Sequence, residues 1–143
     1  MEGPDRVDAY KRMRERARRA FARFADMLPE NRDGIRLLGT SGTVTTLASV
    51  HLALPSYDRR AVDGLHVPIG EMQKISTMIA EMDYAGRSHL PCIGSERADL
   101  VVAGCAILEA IIEIWPARNL GVADRGIREG ILRSLMARDG YQL

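Results

Sequence analysis

A short run of glycine and hydroxyl residues at 39–43 has the residue types that best suit ligand chemistry: Gly39, Thr40, Ser41, Gly42 and Thr43. Glycine permits a tight turn and lets a ligand approach the backbone closely. Ser41 and Thr43 can cap the helix expected after the run, where N–H groups can bind a phosphate or ribose oxygen. The spacing alone slightly favours a plain capping turn, since the run matches neither a P-loop nor a GxGxxG fingerprint.

A second candidate is the turn and helix start at 124–130, which reads DRGIREG. Asp124 follows a predicted strand, and ligand-facing residues of open α/β sheets gather at such strand ends. The structural alternative is that Asp124 caps the last helix. Arg128 and Glu129 lie early in that helix, where they can face a cleft or pair with neighbouring charges. A lone Asp/Glu pair is weak evidence for acid–base catalysis.

Arg97 is the third candidate, because its guanidinium presents a forked set of donors that can clamp an anion. The alternative, which we favour from the sequence, is a structural ion pair with Asp99 or Asp63. No Ser/His/Asp or Cys/His constellation can be assembled, so the sequence indicates no catalytic residue. The three histidines share no ligand-like spacing: His51, His66 and His89.

The composition of the 143 residues, 46% hydrophobic and 27% charged, fits one globular domain. A net charge of +1 provides no bulk field for nucleic acid or an anionic membrane, and we expect neither as a partner. Two cysteines without a CxxC pattern predict reduced thiols and no zinc site. The N-terminus lacks the apolar core of a signal peptide, and no apolar stretch is long enough to span a bilayer. These features predict a cytoplasmic protein.

The candidate residues must be positioned by helices, which the apolar periodicity predicts over 4–28, 44–54, 69–82 and 127–136. Ser95 is predicted to cap another helix that runs to about Trp115. That helix is so apolar that more than one of its sides must be buried. Residues 84–94, which include Pro91, are predicted to be irregular.

Two short strands complete the predicted framework. The first, at 35–38, leads directly into the glycine run, and the second, at 119–123, leads into the turn at Asp124. Residues 55–68 are predicted to be a loop with room for a short strand or a helix start. A strand, a glycine turn and a helix in succession are the pieces of an α/β unit. The sequence therefore predicts a helix-rich α/β domain with few strands.

Three segments together resemble the Ppx/GppA family of exopolyphosphatases and guanosine pentaphosphate phosphohydrolases. They read LLGTSGTVTTLA at 37–48, RADLVVAG at 97–104 and VADRGIREG at 122–130. Two further short segments also resemble this family, Tyr57-Asp58-Arg59 and Val62-Asp63-Gly64. Each segment is modest evidence alone, but the ordered set is specific and covers roughly residues 5 to 140.

The resemblance implies an actin-like fold, in which two ribonuclease H-like domains flank a cleft and two glycine-rich loops grip phosphate. It implies that a glutamate of the first domain activates water, usually with Mg²⁺. Gly39–Thr43 resembles the nucleotide-side loop of the second domain and is carried over as a ligand loop. Arg97, Asp124, Arg128 and Glu129 carry over as motif positions without an assigned role.

The departures from the family pattern are large, because this sequence lacks the DxGSNS-like loop, the DIGGGS-like loop and the segment that holds the catalytic glutamate. The resemblance therefore implies a single partial domain over 1–143, with no catalytic residue and no cofactor of its own. We expect part of a hydrolase of polyphosphate or guanosine pentaphosphate, inactive alone; the alternative is a non-catalytic phosphate- or nucleotide-binding or dimerisation module. The strand at 35–38 would keep an unpaired edge, which favours a homo-oligomer or a chain supplying the missing half.

Overall fold

A computed structural model describes residues 6–27, 34 and 36–141. In chain order its elements are α1 (Arg6–Ala25), β1 (Leu37–Gly39), α2 (Gly42–His51), α3 (Arg59–Val62), β2 (His66–Pro68), α4 (Ile69–Glu81), α5 (Tyr84–His89), α6 (Gly94–Arg97), α7 (Leu100–Ile114), β3 (Asn119–Val122) and α8 (Ile127–Arg138). Helices predominate over short strands, so the prediction of a helix-rich α/β domain is confirmed.

The described strands form one sheet in the order β1-β3-β2. β1 runs parallel to β3, with Leu37 opposite Leu120, and β2 runs antiparallel to β3, with Val67 opposite the same residue. The two predicted strands therefore pair with each other, and β2 adds a third strand within the predicted loop region. β1 lies at the edge of the sheet, so its outer edge has no strand partner among the described residues.

The core lies between one face of the sheet and the helices, and α7 runs through its centre. α1, α2 and α4 all pack against α7. Its buried side chains point to several neighbours, as predicted from its composition, and include Val101, Val102, Cys105, Leu108 and Ile112. On the sheet, Leu120, Val122 and Val67 are almost completely buried. Leu38 alternates to the opposite face and is 64% exposed.

A buried carboxylate fixes α1 against α7. Glu109 of α7 accepts hydrogen bonds from the Tyr10 hydroxyl at 2.7 Å and from Arg14 Nη1 at 3.0 Å. A buried charge of this kind is tolerated only when it is paired and hydrogen-bonded. Burial, reinforced by the bonded Glu109 carboxylate, raises the pKa of Tyr10. The seam between the two helices is therefore set in register by polar contacts as well as by apolar packing.

Three predictions about the segment before α7 are wrong. Residues 84–94 contain the helix α5, whose start is capped by Asp83, because that side chain accepts the Gly86 N–H at 2.7 Å. The single helix predicted from Ser95 is divided into α6 and α7 by a turn at 98–99. The predicted N-cap Ser95 lies inside α6, which begins at Gly94 after Ile93 and has no side-chain cap. The φ of Gly94, 66°, lies in the left-handed region that favours glycine.

Other boundaries move by a few residues. β1 begins at Leu37, and residue 35 lies outside the described residues. α2 begins at Gly42 instead of 44 because Ser41 caps it, and it ends at His51 instead of 54. α1 falls within the predicted range 4–28, of which residues 4, 5 and 28 are not described.

Candidate functional site

The run Gly39–Thr43 joins β1 to α2. Ser41 has an extended backbone and is the N-cap of α2, because its Oγ accepts the Val44 N–H at 3.4 Å. The Thr45 hydroxyl donates to the Gly42 carbonyl oxygen at 3.2 Å and thereby tightens the first turn. The predicted capping role of Ser41 is thus confirmed. The first N–H groups of any helix have no partner within that helix, so the start of α2 retains the capacity to bind an anion.

Close packing fixes this loop from behind. A Cβ at Gly39 would lie 2.6 Å from Val44 Cγ2, so only glycine fits where the chain turns from β1 into α2. A Cβ at Gly104, on α7, would lie 2.8 Å from Thr43 Cγ2. The Thr43 side chain therefore packs directly against the backbone of α7. The loop is held by two glycine contacts, one within the loop and one across the core.

A cavity of about 360 Å³ opens at the carboxyl ends of the parallel strands β1 and β3. Its lining includes Gly42, Thr45, Tyr57, Pro91, Cys92, Ile93, Gly94, Arg97 and Asp124. A neighbouring cavity of about 240 Å³ shares Gly42 and Arg97 with the first. Ligands of open α/β sheets bind at such carboxyl ends. The structure therefore brings one residue from each of the three sequence candidates, Gly42, Arg97 and Asp124, to a single site.

Arg97 is exposed, and both structural pairings predicted for it are wrong. Asp63 pairs with Arg125 Nε at 3.2 Å, and Asp99 accepts from Arg87 Nη2 at 3.4 Å. Within the described part of the chain, Arg97 forms no ion pair. The partners expected for Arg97 are bonded to other arginines, and its guanidinium lines the two cavities without an ion pair to any described carboxylate.

Asp124 is fixed by residues far away in the sequence. Its Oδ2 accepts the Tyr57 hydroxyl at 2.5 Å and lies 3.2 Å from Arg59 Nε. Arg59 also donates to the Asp124 carbonyl oxygen, and the Asp124 N–H donates to Asp63 Oδ1 at 2.9 Å. Partial burial, together with the bond to Asp124, raises the pKa of Tyr57 to about 12. The Asp124 N–H is the main cause that lowers the pKa of Asp63, and Arg125 adds to it.

The prediction that Asp124 caps α8 is wrong, since Tyr57 and Arg59 hold its carboxylate at the end of β3. The N-cap of α8 is Gly126, whose N–H donates to Glu129 Oε2 at 2.8 Å. This N–H is the main cause that lowers the pKa of Glu129. Glu129 also lies 3.7 Å from Arg59 Nη2. Glu129 is therefore linked to the Asp124 cluster and serves as a helix cap.

Five of the sequence candidates do not line the two cavities: Gly39, Thr40, Ser41, Arg128 and Glu129. Thr40 is exposed between β1 and the Ser41 cap, and Arg128 is exposed on α8. Gly39 lies instead beside an apolar groove next to β1. The sequence assigns no role to Tyr57, although the segment 57–59 resembles the Ppx/GppA family. Because Tyr57 and Asp124 are 67 positions apart, no local pattern signals their contact.

The carboxylates at this site do not form a metal centre. Across the described residues, no group of three or more His, Cys, Asp or Glu side chains is placed to hold a metal ion. The Asp124 carboxylate already accepts from Tyr57 and is ion-paired with Arg59, and Asp63 accepts a backbone N–H and Arg125. Mg²⁺ requires open oxygen ligands in near-octahedral geometry. These residues therefore do not fit a Mg²⁺ ion on their own.

Two apolar surfaces lie outside the cavities. A groove of about 300 Å³ runs beside β1 and is lined by residues that include Leu38, Val44, Ile107 and Ile111. α8 has no buried residue, and its exposed side chains include Ile127, Ile131, Leu132 and Leu135. In the described part of the chain, no helix combines the length and apolar character that crossing a bilayer requires.

A sequence model of the Ppx/GppA phosphatase family matches residues 3–139. Because this match spans nearly the whole sequence, the chain belongs to the Ppx/GppA phosphatase family. Among curated relatives, exopolyphosphatase 2 of Mycobacterium tuberculosis is 26% identical over 102 residues. That match covers 68% of this chain and 32% of the relative.

The solved structures agree on the fold. The Ppx/GppA family member of Aquifex aeolicus superposes with a TM-score of 0.77 at 26% identity, over 92% of this chain and 42% of that chain. An exopolyphosphatase from Cytophaga hutchinsonii superposes with a TM-score of 0.74 at 19% identity, over 99% of this chain and 44% of that chain. The predicted actin-like fold is thereby confirmed, and the chain spans less than half the length of these relatives.

Proposed function

We propose that this chain provides the distal part of the second domain of a phosphoanhydride hydrolase, and that it binds the phosphates of polyphosphate or a guanine nucleotide. The observation that supports this proposal is the position of Arg97. Its guanidinium shares two cavities with Gly42 at the N-terminus of α2. A cation without a partner next to a helix N-terminus attracts a negatively charged group, and a guanidinium bonds phosphate oxygens in pairs.

The ion pairs around the cavity favour phosphate binding at Arg97 over the neighbouring arginines Arg59 and Arg125. Arg59 is compensated by Asp124 and Glu129, and Arg125 is compensated by Asp63. Their positive charge is therefore already compensated, whereas Arg97 has no ion pair among the residues that the structure describes. A bound phosphate would therefore gain the most electrostatic stabilisation beside Arg97. The family membership, and the exopolyphosphatase of M. tuberculosis among the relatives, support the same ligand class.

We propose further that the chain releases no phosphate by itself. Hydrolysis of a phosphoanhydride needs an activated water and stabilisation of the charge that develops on the phosphoryl oxygens. The family assigns water activation to a glutamate in a segment with no counterpart in this sequence. Asp124 and Glu129 are engaged by arginine and by a backbone N–H, so neither is an open general base. Mg²⁺, when bound in the complete enzyme, would neutralise phosphate charge.

Two assays test this proposal. In a phosphate-release assay with polyphosphate or guanosine pentaphosphate, we expect no release above background. In calorimetric titration with pyrophosphate, we expect binding that weakens by about tenfold in Arg97→Gln, since one charge-assisted contact is lost. Arg12→Gln is the matched control, because Arg12 is exposed on α1, away from both cavities. Equal affinity of both variants and wild type would refute the proposed site.

The second candidate function is assembly through the apolar surfaces beside β1 and on α8. An exposed strand edge pairs readily with another chain, and a contiguous apolar patch marks an interaction surface. Either a second copy or a chain that supplies the missing half would cover them. Light scattering at high micromolar concentration tests self-association: we expect an oligomer that Ile131→Glu weakens, and a clean monomer would contradict self-association.

A cytoplasmic location is also proposed. Cys92 and Cys105 both carry free thiols. Proteins of reducing compartments keep their cysteines in this state.

A further inference from the structure

Arg97 lies on α6, a helix that is too short to be stable without contacts from other elements. α6 has four residues, and no side chain caps its N-terminus. Helices this short are unstable alone, because the cost of nucleation is not recovered over so few hydrogen bonds. The direction of the Arg97 side chain must therefore be set by contacts from outside α6.

Those contacts come from α5 and reach both ends of α6. At one end, the Tyr84 hydroxyl donates to the Ser95 carbonyl oxygen at 3.2 Å. At the other end, Arg87 Nε donates to the carbonyl oxygen of Ala98 at 2.6 Å, one residue after Arg97. These bonds hold the backbone on either side of Arg97.

Arg87 is completely buried, which is unusual for an arginine. Besides Ala98, its guanidinium donates from Nη1 to the Met82 carbonyl oxygen at 2.5 Å and from Nη2 to Asp99 at 3.4 Å. Its donors therefore join the end of α4 to the turn that separates α6 from α7. The sequence pattern favours one continuous helix across this turn, but the hydrogen bonds of the buried guanidinium to Ala98 and Asp99 stabilise the break between α6 and α7.

We propose that Arg87 and Tyr84 are positioning residues for Arg97: they hold α6 so that the Arg97 guanidinium faces the cavity at Gly42. This inference rests on the proposed binding of phosphate by Arg97. Neither residue lines that cavity, so both act through the backbone of α6. A purely structural role would lower the stability of the fold without being coupled to Arg97.

A double-mutant cycle separates these two roles. Pyrophosphate affinity is titrated for wild type, Arg87→Lys, Arg97→Gln and the double variant. Lysine keeps the buried charge but cannot reach all the acceptors of the guanidinium fork. We expect Arg87→Lys to weaken pyrophosphate binding about fivefold in the wild-type background and to have no effect in the Arg97→Gln background. Met72→Ala, a core variant on α4, is the control, with a lower Tm and unchanged affinity.

Tyr84→Phe provides a second, milder cycle, because it removes one exposed hydrogen bond and keeps the fold even where Arg87→Lys unfolds. We expect about a threefold loss of affinity that also vanishes in the Arg97→Gln background. Equal losses in both backgrounds, or no loss in a folded variant, would overturn the positioning role. If Arg97→Gln weakens binding but the α5 variants do not, the positioning role is refuted and the proposed function stands. Arg97→Gln without any effect would remove the proposed function as well.

Discussion

The two sides of the cavity differ in how their charges are matched. On the paired side, Tyr57 and Asp124 are bonded to each other, and Arg59 compensates the carboxylate. On the unpaired side, Gly42 and Arg97 lie together without a carboxylate bonded to the guanidinium within the described residues. Matched charges fix a backbone, whereas an unmatched charge in a concave surface is available to a ligand. The paired side is therefore a scaffold, and the unpaired side is where we place the ligand.

The largest expected effect concerns the packing behind the unpaired side. Gly104→Ala would place a Cβ 2.8 Å from Thr43 Cγ2, so we expect a loss of about 2 kcal/mol in the free energy of unfolding from overpacking. Gly130→Ala is the matched control, because no atom lies within 4 Å of its added Cβ. There, we expect a gain of about 0.5–1 kcal/mol from helix propensity. Urea denaturation measures both, and equal changes would contradict this account of the packing.

A smaller effect is expected when the paired side loses its cation. Arg59→Gln leaves the partly buried Asp124 carboxylate without its compensating charge. Because Arg59 is half exposed and water screens the pair, we expect a loss of only about 1 kcal/mol in the free energy of unfolding. Arg60→Gln, a change in the neighbouring exposed arginine, should leave stability within about 0.5 kcal/mol of wild type. If both variants are equally stable, the matched charges do not hold this side of the cavity.

The smallest effect comes from the Tyr57 hydroxyl. We expect Tyr57→Phe to cost about 0.5–1 kcal/mol at neutral pH, since one partly exposed hydrogen bond to a carboxylate is removed. The pKa of Tyr57 is raised from 10.0 to about 12 in the fold. Its contribution is therefore complete below pH 10 and is lost as the pH rises toward 12. Wild type should lose its advantage over Tyr57→Phe across this range in thermal melts, and a constant difference would argue against the bond.

Local patterns in the sequence were sufficient for much of the fold. Apolar residues at helical spacing located α1, α4 and α8, because each of these helices repeats its apolar residues at three- and four-residue steps. The turn after β1 was predicted because glycine and Ser41 carry local information about helix starts. The sequence also showed that each predicted strand leads into a turn and a helix, but the parallel pairing of β1 with β3 is seen only in the structure.

Long-range contacts explain what the sequence did not reveal. The turn between α6 and α7 depends on the buried Arg87 guanidinium, which reaches the Ala98 carbonyl oxygen from a separate helix, α5. The role of Asp124 depends on Tyr57 and Arg59, more than sixty positions away. Arg97 was assigned to structural pairs because Asp99 and Asp63 are plausible neighbours by type. Only the three-dimensional structure shows that Arg87 and Arg125 occupy them.

The central claim is that the unpaired side binds phosphate and the paired side supports it. Pyrophosphate titration of Arg97→Gln and Arg59→Gln, each with a thermal melt, tests this most directly because each variant removes one positive charge beside the same site. We predict that Arg97→Gln loses affinity about tenfold with an unchanged Tm, while Arg59→Gln has a lower Tm and nearly full affinity. The opposite pattern, or equal affinity loss in both variants, would contradict the account.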